Sequence, residues 1–125
     1  MTFDWSEYLK LARELAGENG SSANEEARLR SSISRAYFAA YCVARKCSID
    51  KGQGIPGGPK GHRYICNFLQ ESIFEEEKQA GEDLDRLRNR RNQADYDDFM
   101  RNLSAVVGDS LNRSVRVISW AQGSH

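Results

Sequence analysis

From Leu29 to Ala44 the apolar residues of this chain recur at steps of three and four: Leu29, Ile33, Ala36, Tyr37, Ala40 and Ala44. That spacing places them on one stripe of an α-helix, and the two-residue alternation of a strand is almost absent elsewhere. The small alanines let another helix approach closely, so the segment 22–48 is expected to be the central helix. Ser22 with Glu25 or Glu26 resembles a capping box at its start. Four further helices are expected around it. The first covers 4–17, with Asp4 as N-cap, Trp5, Tyr8, Leu9, Ala12 and Leu15 as its stripe, and Gly17 and Gly20 as its stop. A short one opens at His62 and carries Tyr64, Ile65, Phe68 and Leu69. Another runs from about 75 to the low nineties with Leu84 and Leu87 inward, and the last covers about 102–120. The run IDKGQGIPGGPKGH at 49–62 is the one clear loop, because its glycines and prolines cannot continue a helix. The expected fold class is all-α, an antiparallel bundle of four to five helices.

A length of 125 residues fits one domain, read as 1–122 with Gly123, Ser124 and His125 as an appended tail. A chain of this size buries roughly two thirds of its unfolded surface and needs no staple. The formal net charge is zero, which argues against a general positive field for nucleic acid; any anion site must be local. Cys42, Cys47 and Cys66 are odd in number and form no C-x-x-C, so reduced thiols in a cytoplasmic protein are expected. The histidines are too few and wrongly spaced for a zinc motif, and no metal or cofactor is expected. The N-terminus has no secretory pattern, and no apolar run reaches membrane-spanning length.

Charge concentrates in RNRRNQADYDDF at 88–99. Arg91 continues the stripe of Leu84 and Leu87, so an apolar face ends in a guanidinium. Taking that group out of water costs several kcal/mol unless it is paired. Two resolutions are open. Asp95, four residues on, can clamp it; alternatively Arg91, joined by Arg88, lines a cleft and holds a phosphate. Arg86 and Arg90, with Asp83 nearby, read as a solvated ladder on a second face. Tyr37 and Tyr41 read as core aromatics with tied hydroxyls. Arg35, just outside that stripe, reads as a surface residue or an interface partner. His62, at a helix start after a glycine loop, reads as exposed; functionally it is the one histidine in the body of the chain suited to proton transfer near neutrality.

SRAYFAAY at 34–41, the histidine of HRYICNF at 62–68, and RNQADYDDF at 91–99 occur in this order. Together they resemble the HEPN superfamily, and within it the small stand-alone UPF0332-like branch, over about residues 5–120. The resemblance implies a bundle of four or five helices that forms a homodimer and is directed at RNA. Many members are metal-independent ribonucleases of toxin–antitoxin or defence systems, some beside a small nucleotidyltransferase partner. Their signature is an arginine, a polar residue, and a histidine four to six positions on. Here Arg91 and Asn92 match its start, while Asp95, Tyr96, Asp97 and Asp98 stand where the histidine belongs. The residues implied for catalysis are therefore Arg91, Asn92, Asp95, Tyr96 and His62, with Arg88, Arg35 and Tyr37 for binding. Three expectations follow: an RNA-cleaving protein; a non-catalytic module of the same fold that binds a nucleotide, RNA or a partner; and a structural dimer in which RNQADYDD is an interhelix clamp.

Overall fold

The computed structural model describes residues 3–17 and 24–123. Among them the only regular structure is five α-helices: α1 Glu7–Gly17, α2 Glu25–Asp50, α3 Pro59–Gln70, α4 Glu75–Tyr96 and α5 Leu103–Gly123. The connections 51–58, 71–74 and 97–102 are short, so consecutive helices run antiparallel. The all-α bundle expected from the spacing is what forms. Helix α2 is its axis and packs against all four others. No helix among the described residues is long and apolar enough to cross a membrane.

The stripe explains the axis. Ile33, Ala36, Ala39, Ala40 and Ala44 are fully buried, and the alanines leave room for close crossings. Two serines use those crossings: Ser32 donates to the Ala12 carbonyl of α1 at 2.7 Å, and Ser114 of α5 donates to the Ala36 carbonyl at 2.8 Å. A buried hydroxyl without a partner is costly, so a carbonyl of the neighbouring helix fixes the register of both contacts.

Several expected boundaries shift for local reasons. Asp4 does not cap α1 directly; its Oδ1 accepts from the Ser6 amide and hydroxyl, forming a turn that leads into Glu7. Ser22 and Gly20 lie outside the described residues. Within them Asn24 caps α2, its Oδ1 accepting from the amides of Glu26 at 2.7 Å and Ala27 at 3.3 Å. Helix α2 runs to Asp50, and α3 begins at Pro59, so the loop is shorter than its composition suggested. Proline suits a first helical position because its missing N–H would have no partner there. Helix α5 continues through Gly123, the first residue read as tail.

Candidate functional site

The charged stretch at 88–99 resolves mainly into structure. Arg91 Nε binds Asp95 Oδ2 at 2.8 Å, and its Nη1 donates to Asn92 Oδ1 at 3.4 Å. Ser34 of α2 adds a donor to Asp95 at 3.4 Å. The ion pair keeps partial access to solvent, with side chains 34% and 28% exposed. Arg30 of α2 supplies what α4 lacks in its last turn: its Nη1 donates to the carbonyls of Ala94 at 3.1 Å and Asp97 at 2.6 Å. A cation on the final carbonyls satisfies groups that no later amide reaches and complements the helix dipole. Tyr96 projects into solvent from the end of α4.

The buried charge of α4 is a different residue. Asp83, expected beside Arg86 and Arg90 as part of a solvated ladder, is completely buried. It receives Arg113 Nη1 at 2.8 Å, Arg116 Nη2 at 2.9 Å and Arg116 Nε at 3.0 Å, all from α5. The ladder expectation fails because Ala80, Asp83, Leu84 and Leu87 share the inner stripe.

His62 also departs from expectation. It is the fourth residue of α3, not its first, and is only 3% exposed. The cause is the Pro59 start, which puts His62 one turn in and on the stripe of Ile65, Cys66 and Leu69. Both ring nitrogens are engaged: Nδ1 with Tyr37 Oη at 2.9 Å and Nε2 with Cys66 Sγ at 3.2 Å. Burial, reinforced by the Arg88 guanidinium, pushes its pKa down to about 4, with the Asp85 carboxylate opposing. An imidazole that is neutral and shielded in this way is not an open proton carrier for a surface substrate.

Tyr37 links the two predicted halves of the site. Its hydroxyl meets His62, while the Arg91 guanidinium carbon stands 5.9 Å from its ring centroid. Burial, with Tyr41 beside it, raises its pKa well above the usual phenol range, so it acts as a packed hydrogen-bonding group. The expectation of a core tyrosine with a tied hydroxyl is met. Arg35 is elsewhere: it lies over Tyr8 and Phe38, at 5.4 and 5.0 Å, on the α1 side of α2. Thus Arg91, Asn92 and Asp95 come together, Tyr37 bridges them to His62, and Arg35 and Tyr96 stand apart.

Arg88 belongs to a surface that the motif reading missed. An open groove of about 470 Å³ is lined by Pro56, Pro59, Lys60, Arg63, Tyr64, Asn67 and Arg88. It holds three cations and no carboxylate. Tyr64 and, one turn on, Phe68 are exposed on the same helix, and the Tyr64 hydroxyl donates to Gln53 Oε1 at 2.9 Å, which pins the ring against the loop. Lys60, Arg63, Tyr64, Asn67 and Phe68 recur at three and four along 60–68, a polar face visible in the sequence once α3 is taken to start at Pro59.

Gly61 sets the position of this face. A Cβ there would stand 2.5 Å from the Pro56 carbonyl oxygen and 2.5 Å from Tyr41 Oη. Gly61→Ala is expected to cost about 1–3 kcal/mol by overpacking. Gly57→Ala, whose Cβ meets nothing within 4 Å, is expected to stay within about 0.5 kcal/mol of the parent. Urea unfolding of the two variants side by side checks this; equal midpoints would mean that α3 does not dock so closely.

Compared with models of known protein families, with curated proteins and with solved structures, the chain finds no match in any of the three.

Proposed function

We propose that this protein binds single-stranded RNA along the outer face of α3, without cleaving it. The observation that carries the reading is the groove in which Lys60, Arg63 and Arg88 converge with no acidic residue in its lining. On a chain of zero net charge, such a groove is a local anion site. The exposed rings of Tyr64 and Phe68 beside it match the pattern of single-strand binding, in which cations track the backbone and aromatic faces stack bases. The resemblance to HEPN proteins favours RNA over DNA, and the homodimer and the small nucleotidyltransferase partner it implies belong to the same proposal.

Binding is preferred to cleavage for a chemical reason. Cleavage through the 2′-hydroxyl needs a proton acceptor and donor within reach of the phosphate. His62 is buried with both nitrogens engaged, and Asp95 is held by Arg91. Arg91 then serves as a clamp that closes the C-terminal end of α4.

Fluorescence anisotropy with a labelled single-stranded RNA tests the proposal. With three cations on phosphates, affinity should fall about twenty-fold between roughly 50 and 200 mM salt, a log–log slope of about −2. Arg63→Ala with Arg88→Ala should flatten that slope to about −0.7. Lys10→Ala, on α1 and far from α3, should leave it unchanged. The RNA should be recovered intact. No binding at low salt, or a double variant that remains folded and binds like the parent, would overturn the reading.

A further inference from the structure

We propose that His62, Cys66 and Asp85 form a binding site for a divalent cation of the zinc class, bridging α3 to α4. His62 and Cys66 stand one turn apart on α3, and Asp85 comes from α4. His62 Nε2 is 3.2 Å from Cys66 Sγ and 3.9 Å from Asp85 Oδ1. The three donor atoms all lie within 4.8 Å of one another. Tetrahedral zinc with nitrogen, sulfur and oxygen ligands sets its donors about 3.4–3.6 Å apart, so the observed spacings bracket what a cation requires. The widest spacing closes by rotation of Asp85, whose side chain is 56% exposed.

Three further features fit. With the ring proton on Nδ1 directed at Tyr37 Oη, the Nε2 lone pair faces the other two donors. An oriented ligand histidine of this kind is the usual outer-shell arrangement of zinc sites. A cysteine thiolate and an aspartate together balance the two charges of the ion. Asp85 lies at the solvent edge, which leaves an entry path and a place for water as fourth ligand. Burial, and after it the Asp85 carboxylate, push the Cys66 thiol up to about 12, with the Arg88 guanidinium opposing, so the thiolate forms only as the ion binds. The ion would displace the thiol proton, so binding releases one proton per chain.

The test uses the full chain after chelation, titrated with Co(II) and then Zn(II). One equivalent should bind, with the thiolate-to-cobalt charge-transfer band and the intense visible bands of tetrahedral Co(II), and Zn(II) should displace it and raise the melting temperature. Cys66→Ser and Asp85→Asn should each weaken Co(II) by about ten-fold or more, and Tyr37→Phe by about ten-fold through loss of the Nδ1 partner. Circular dichroism establishes that each variant is folded; if Tyr37→Phe is not, Asp85→Asn, altered at an exposed position, decides alone. A Co(II) complex without the thiolate band, or unchanged affinity in Cys66→Ser or Asp85→Asn, would overturn the site.

Discussion

Asp83→Ala is expected to destabilise the fold by about 3–5 kcal/mol, enough to lower the melting temperature by roughly 10–15 °C. The carboxylate is completely buried and holds three charge-assisted bonds from Arg113 and Arg116, with Gln79 Nε2 at 3.3 Å. Its removal takes away the ion pairs from Asp83 that tie α4 to α5. Arg116 is half-exposed and can return to water, and Arg113 keeps Asp109 at 2.8 Å, so the lower half of the range is favoured. Asp83→Asn keeps the shape and loses the charge, and should fall between the parent and the alanine variant. An exposed pair gives the contrast: Asp50→Ala, which breaks Lys46–Asp50, should cost less than about 0.5 kcal/mol. Chemical denaturation of the three variants measures all of this. An Asp83→Ala protein within 1 kcal/mol of the parent would mean that apolar packing alone holds α4 to α5.

That prediction also shows where the sequence was legible and where it was not. The three-and-four spacing of Leu29, Ile33, Ala36, Tyr37, Ala40 and Ala44 was enough to identify α2 as the axis, because small buried residues at that period have no other use in a helical chain. Followed forward from Leu84 on α4, the same spacing makes Arg91 the charge on the inner face. Run backward, it reaches Ala80 and Asp83, and the buried charge is Asp83. Its partners lie thirty and more residues away on α5, a separation that no local pattern encodes.

The site was legible in the same uneven way. The i to i+4 pair Arg91–Asp95 forms as geometry predicts. His62 departs from expectation because a glycine-rich run reads as loop up to the histidine, whereas Pro59 already starts the helix. One turn of error exchanges an exposed residue for a buried one. It also hid the groove, since Lys60 and Arg63 become neighbours of Arg88 only when α3 docks on α4. Arg30 on the last carbonyls of α4 is likewise a tertiary contact, formed across more than sixty residues.

The buried imidazole makes a last, separate prediction: stability should fall with acid through one identifiable group. His62 has a folded pKa of about 4 against its ordinary 6.5. Between those values the unfolded chain binds a proton that the folded chain excludes, so stability rises with pH across the window. The contribution is complete above about pH 6.5 and is lost as pH falls towards 4. Linkage gives a loss of about 2 kcal/mol near pH 5 and about 3 kcal/mol near pH 4. The cause is desolvation first and the Arg88 charge second, so neither high salt nor a distant charge change should remove it. In chelator-containing buffer, urea midpoints of the parent should drop steeply between pH 6.5 and 4. A folded His62→Gln variant, less stable at pH 7.5, should show the milder slope of its carboxylates alone, and the two curves should converge in acid. Parallel curves, or an imidazole that titrates near 6.5 by NMR in the folded protein, would show that the ring is open to water, and the case against His62 as a surface proton carrier would fail with it.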